Sequence, residues 1–254
     1  MAKQNEIAVI ETSNMMIFKP EIKDSLAVMK ENLGNQKLSI GDLEAIKMPT
    51  GGGQIFEVPD MTEGVRPEKT LRCIVIDQCD CKAYWPKEEK DGGDKAPVCR
   101  SNDGMMGFGD PEAPGAPGED RMNAEHVCSK CPKNEFESHK DGKRKACKDT
   151  KRLFLMFPDK SLPTRFSLPP TSLKNYKKFI TVLMGMGLAY WHIVVEISLS
   201  KEDKGGNPTA IANFKVAATL TTEERAQVQG YRMAIMPYLE AVKTEDVHSE
   251  EAAE

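Results

Sequence analysis

Apolar positions along this chain change period several times, and each change marks an element. Between residues 21 and 33, Ile22, Leu26, Met29 and Leu33 recur at helical spacing with Gly34 after them as a C-cap, which predicts a first helix. Residues 39–46 read as a short second helix, and Gly51-Gly52-Gly53 as a turn or joint. Extended runs follow at 54–58, at 71–77 and, after a tight turn at Gln78-Cys79-Asp80, at 81–85. Residues 87–95 are charged and carry Gly92-Gly93, so they read as a loop. Residues 104–120 are too rich in Gly and Pro for a helix or a central strand. A continuous apolar run at 152–157 returns to strand pattern.

Pro169, Pro170 and Thr171 open a helix to about Met186, with Leu173, Tyr176, Ile180 and Leu183 on one face and Lys174, Lys177 and Lys178 mostly on another. Residues 191–199 alternate cleanly: Trp191, Ile193, Val195, Ile197 and Leu199 take one side, His192, Val194, Glu196 and Ser198 the other. Residues 204–208 form a hairpin turn into a last strand at 210–218. Thr221-Thr222-Glu223-Glu224 is a capping box that starts a helix running to about Val242.

Three strands, a helix and two strands make the chain order of an OB-fold barrel. The expected class is therefore α+β: an OB-fold-like β-barrel at residues 51–243, a zinc-binding insertion at about 95–150, a helical N-terminal extension at 1–50 and an acidic disordered tail at 244–254. Other α+β folds share this element order.

Composition bounds the setting. At 254 residues, 29% charged and 6% aromatic, the chain is long enough for one or two packed domains. It has no apolar run of membrane-spanning length and no signal-peptide core, so no membrane partner is expected. Seven cysteines without an export signal point to a reducing compartment, the cytoplasm. The net charge of −4 hides an asymmetry: nine Lys/Arg against four acids at 130–152, then five acids and no Lys or Arg at 244–254. A basic middle with an acidic end fits a polyanion binder whose tail competes for its own cationic groove, and equally a solvated basic loop with a solubilising tail.

Cys99, Cys128, Cys131 and Cys147 bracket the basic stretch, and the middle pair reads Cys-Ser-Lys-Cys-Pro. A Cys-x-x-Cys knuckle brings two thiolates to one tetrahedral ion, and two further cysteines close the site; four thiolates leave no open position, so the zinc expected here is structural. The alternative is four reduced thiols, but the polar surroundings give a thiol no apolar place to hide, and nearby cations favour thiolates. His126 and His139 are close enough in sequence to substitute as ligands, yet read better as solvated loop histidines. Cys73 reads as core, and Cys79 and Cys81 as a reduced Cys-x-Cys pair.

No phosphate loop, nucleophile elbow or zincin motif is present, so no enzymatic activity is expected. Asp77, Asp80 and Asp103 are scattered carboxylates that read as turn and loop residues rather than a magnesium site. A single nucleic-acid strand is held by cations and aromatic faces. Lys82 and Tyr84 fall on one face of the strand and Trp85 on the other. With Arg100, Arg144, Lys145, Lys151, Arg152 and Arg165 they are the candidate contacts. Core packing is the competing role for every aromatic, most of all for Trp191, Phe214 and Phe154.

Several phrases together resemble a family encoded by bacteriophages and related mobile elements. They are the Leu43-to-Pro49 phrase with its glycines, Ala83-Tyr84-Trp85-Pro86 and Cys99-Arg100-Ser101-Asn102-Asp103-Gly104. The others are Cys128-x-x-Cys131-Pro132-x-Asn134, Gly142-Lys143-Arg144-Lys145-Ala146-Cys147 and the Leu168-to-Tyr176 phrase beginning Leu-Pro-Pro-Thr. More loosely, the chain is similar to the replicative single-stranded DNA-binding proteins of phages. Those pair an OB-fold, sometimes carrying a zinc insertion, with an acidic C-terminal tail that recruits replication and recombination partners. The resemblance implies non-sequence-specific binding of single-stranded DNA in replication or recombination, in the cytoplasm of an infected bacterial cell. Phage or host replication proteins would be recruited through Glu245, Asp246, Glu250, Glu251 and Glu254. This tail lacks the obvious terminal aromatic of that group. A zinc-stabilised adaptor for a replication or transcription protein is the alternative.

Overall fold

Leu153 and Leu155 face one hydrophobic core while Phe154 and Met156 face another. The last four residues of their strand are thus buried on both sides, which is why this stretch is continuously apolar rather than alternating. The structure is a computed structural model that describes residues 22–34, 36, 38–60, 64–85, 97–109, 125–204 and 206–244, without the side chains of 22–26, 204 and 244. The expected loop at 87–95, the larger part of 104–120 and the acidic tail beyond Thr244 lie outside these residues.

The chain runs through α1 (Ile22–Leu33), β1 (Ala45–Ile46), β2 (Phe56–Asp60), β3 (Gly64–Glu68), β4 (Thr70–Tyr84), β5 (Cys99–Ser101), β6 (Met106–Gly109) and β7 (Glu125–Val127). It continues through β8 (Lys148–Met156), β9 (Thr164–Leu168), α2 (Pro170–Gly185), β10 (Ile193–Lys204), β11 (Asn207–Thr219) and α3 (Thr222–Thr244). Nine of these strands form one mixed sheet, and β2 and β3 make a separate hairpin. At its centre, β4, β8 and β9 are an antiparallel meander. After α2, the β10–β11 hairpin returns to the first residues of β4. Helix α2 packs on one face of the sheet through Tyr176, Phe179 and Leu183. Helix α3 covers the other through Val228, Tyr231, Ile235 and Leu239, with Met29 of α1 beside it.

The α+β class is present, but nine strands rather than three precede α2 and two follow it; the runs expected at 71–77 and 81–85 are one strand, β4, and the cysteine-rich insertion lies between β4 and β8. No closed barrel forms among the described residues. Closure needs a partner on the outer edge of β9, and that edge takes β1 instead, parallel, through Ala45↔Arg165 and Ile46↔Phe166.

Two local expectations are corrected. Residues 39–46 are not a helix. Ser39 and Asp42 exchange bonds in a turn, from Ser39 N–H to Asp42 Oδ2 (2.7 Å) and from Asp42 N–H to Ser39 Oγ (3.3 Å). The chain then passes round the sheet edge, so Leu43 enters one core and Ile46 the other. The expected turn at Gln78-Cys79-Asp80 is the middle of the fifteen-residue strand β4. Its polar side chains tolerate the strand because each finds a partner: Asp77 with Lys243 (2.6 Å), Gln78 with the Tyr176 hydroxyl (2.6 Å) and Asp80 with Lys151 (2.8 Å). The capping box forms as read: Glu224 N–H donates to Thr221 Oγ1 (3.2 Å) and Thr221 N–H to Glu224 Oε2 (2.7 Å).

Candidate nucleic-acid interface and cysteine cluster

Strand β4 outruns its helix cover, and its last residues carry the cysteine insertion. Tyr84 stands opposite Cys99 of β5, and Lys82 opposite both Ser101 and Asp149. The chain then turns through two 3-10 segments, Cys128–Lys130 and Pro132–Asn134. Backbone bonds fix this knuckle: Cys128 N–H to Met105 O (2.8 Å), Cys131 N–H to Cys128 O (3.3 Å) and Cys147 N–H to Lys133 O (2.8 Å). The Asn134 amide donates to Cys128 O (2.9 Å), and its Oδ1 accepts from Lys82 and Lys145 (3.3 Å each).

All four candidate ligands, Cys99, Cys128, Cys131 and Cys147, are buried and line one small cavity with His126 and Lys82. His126 is therefore not the solvated loop histidine the sequence suggested: its Nε2 lies 3.5 Å from Cys99 Sγ, and it too is buried. His139 stays apart, half-buried and paired with Asp141 (2.9 Å). Burial pushes the thiols of Cys128 and Cys147 up, Cys147 to about 12, with Lys82 pulling the other way on both. Among the described residues no group of three or more His, Cys, Asp or Glu closes round one point as a bound ion requires. The donor chemistry nonetheless fits zinc: four soft thiols line one small cavity. Zinc bound there would tie β5, the knuckle and the start of β8 together; Cys99, Cys128, Cys131 and Cys147 would hold it, with His126 beside Cys99.

Six of the nine candidate contact residues divide between the two faces of the sheet, and Trp85, Arg144 and Lys145 lie outside its strands. Residues directly opposite on neighbouring strands share a face. Arg100 stands opposite Ala83, Arg152 opposite Cys79 and Ser167, and Arg165 opposite Phe154, which puts the three arginines on one face. Arg152 donates from Nη2 to Asn102 Oδ1 (3.2 Å), while its buried Nε and Nη1 meet no acceptor among the described residues. Beneath it, Cys79 and Cys81 place their sulfurs 3.7 Å apart. A hydrogen bond from Cys79 and the Arg152 charge hold Cys81 down to about 7 against its burial.

The opposite face carries Lys82, Tyr84 and Lys151. Lys82 pairs with Asp149, Lys151 with Asp80 (2.8 Å), and Tyr84 is buried against Cys99 and Cys147 with Lys133 Nζ 5.4 Å from its ring centre. Trp85 is half-buried with Lys148 Nζ 5.2 Å from its ring. Lys145 pairs with Asp149 (3.2 Å), and Arg144, largely exposed, with Asp141 (2.6 Å). Asp77 and Asp80 fall on opposite faces of β4, and Asp103 caps a turn by accepting from the N–H groups of Met105 (2.7 Å) and Met106 (2.9 Å), so the three carboxylates do not gather. Phe154 is core, Phe214 stacks on Phe179 (5.7 Å) and Trp191 lies against Arg232 (5.0 Å).

Sequence reasoning weighed His126 and set it aside, and it missed two residues of this region, Asn134 and the exposed Phe136. Asn134 lay in a phrase already singled out, and an aromatic amid lysines was the available signal for Phe136. No protein-family model matches the chain, and neither a curated protein nor a solved structure does. Among the described residues no helix is long and apolar enough to cross a membrane.

Proposed function

We propose that this chain is a phage single-stranded DNA-binding protein, acting without sequence preference in replication or recombination. The observation that carries the reading is that Arg100, Arg152 and Arg165, each half-buried, share one face of the sheet. Cations set side by side on one face match the line of negative oxygens that a phosphate backbone supplies. The meander, helix and hairpin order supports an OB-like relationship, with β1 standing where a barrel would close. Zinc on the four cysteines would order one wall of the surface, and no catalytic step is assigned to it.

The phage setting rests on the resemblance of sequence phrases alone. A second reading, a zinc-stabilised adaptor for a replication or transcription protein, is favoured by the exposed Val182, Met184 and Met186 at the end of α2. Anisotropy of labelled oligo-dT, titrated at several salt concentrations and against duplex DNA, separates them. Tight, salt-sensitive binding with single-strand preference supports the first reading. No binding at low salt, with the acidic tail removed as well, transfers the weight to the adaptor.

A further inference from the structure

Phe136 is 77% exposed, the most exposed large hydrophobic side chain among the described residues and the only aromatic one so exposed. Burying that ring elsewhere would be favourable, so its display on the cysteine loop asks for a reason. The loop is firmly built. Ser138 Oγ shares its one proton between Glu135 O (2.6 Å) and Lys133 O (2.9 Å) and accepts from Ala146 N–H (2.9 Å). Next to Phe136, Glu137 has φ of +68°, the left-handed region that side chains other than glycine enter at a cost. The turn is thus held in a strained shape that presents the ring.

Lys145 covers one side of the ring, its Nζ 5.4 Å from the centre, and Arg144 immediately precedes it in the loop. A flat apolar face backed by cations matches an unpaired base, which stacks through its π-face while its phosphates seek positive charge. The flanking Glu135 and Glu137 are acidic, so the tip offers a ring to the base and leaves the phosphate to Arg144.

We infer that Phe136 is a stacking platform for one unpaired base of a bound single strand, with Arg144 taking the adjacent phosphate. This rests on the DNA-binding reading above. The test compares the full-length protein with Phe136→Ala and Phe136→Trp on oligo-dT and on duplex DNA, with thermal melts alongside. Phe136→Ala should lose about 5- to 100-fold in affinity for oligo-dT, with duplex binding and melting temperature unchanged. Phe136→Trp should keep the affinity and show quenched tryptophan emission on adding oligo-dT. Wild-type binding that Phe136→Ala leaves intact, or equal losses on both DNA forms, overturns the stacking role while the DNA reading stands. A wild-type protein that ignores oligo-dT overturns both.

Discussion

Lys243, one residue before the end of α3, places Nζ 2.6 Å from Oδ2 of Asp77 in the middle of β4, and both side chains are largely buried. The pair pins the last turn of the helix to the sheet. Asp77 shares its strand face with Cys79, which stands opposite Arg152, so α3 ends beside the arginine row.

The pair should behave as a buried ion pair. Removing either partner leaves a charge without its match, so Asp77→Ala should cost about 3 kcal/mol in urea melts, and the double change Asp77→Leu with Lys243→Met should recover much of it. Burial works against the lysine charge, but Asp77 and Glu240 outweigh it and hold its pKa above the ordinary value. A raised folded pKa gives stability that is complete below the unfolded value of about 10.4 and is lost as pH climbs through the folded one. Wild-type stability should therefore fall in that alkaline window, and the Lys243→Met protein should lack this component. Identical alkaline profiles would remove the pair from the stability of the fold.

The arginine row makes a second prediction. Arg152→Ala should weaken oligo-dT binding about tenfold and lower the slope of log affinity against log salt by about 0.7, the share of one phosphate contact on a single strand. Arg66→Ala is the control: Arg66 belongs to the β2–β3 hairpin and pairs with Glu68 (2.9 Å). Equal effects from the two changes would mean that general charge, not this face, drives binding.

Much of this architecture was legible in the sequence. The residue 22–33 helix, the Pro170 helix start, the β10–β11 turn and the Thr221 capping box rest on local chemistry, so local reasoning finds them. What failed was decided by distant partners. Residues 39–46 carry helical spacing, but Leu43 and Ile46 enter different cores. Gln78 and Asp80 read as a turn because their partners Tyr176 and Lys151 are far away in sequence. The gathering of Arg100, Arg152 and Arg165 needed the strand register, which no single segment carries. The four cysteines were visible from spacing, whereas the burial of His126 among them depended on β6 lying against β7.

The cysteine cluster should couple stability to metal. Purified protein should carry about one zinc per chain, and Cys131→Ser or a strong chelator should remove it and lower the melting temperature by about 5 °C. Oligo-dT affinity should fall in parallel, since the knuckle orders the loop that bears Arg144 and Phe136. Cys79→Ser should leave metal content unchanged, because Cys79 lies on the arginine face, away from the cavity. Metal content that survives Cys131→Ser would exclude this ligand set, and full affinity without metal would break the coupling.

The position of Lys243 also decides how the acidic tail should be tested. A cut after Val242 would remove the lysine that pins α3, mixing loss of stability with loss of charge. A stop after Thr244 removes Glu245, Asp246, Glu250, Glu251 and Glu254 and keeps the pair with Asp77. Helix α3 ends on the face of Arg152 and these five acids follow it in the sequence, so they are candidates to compete for the cations that phosphates would occupy. If they compete for them, the truncated protein should bind oligo-dT about five-fold or more tightly at low salt. Salt weakens tail and DNA alike, so the intact protein should show the shallower salt dependence and truncation should steepen it. Adding the tail as a separate peptide should reverse the gain only at high concentration, since tethering is what makes it effective. Unchanged affinity and slope after the Thr244 stop would leave the tail to partner recruitment alone.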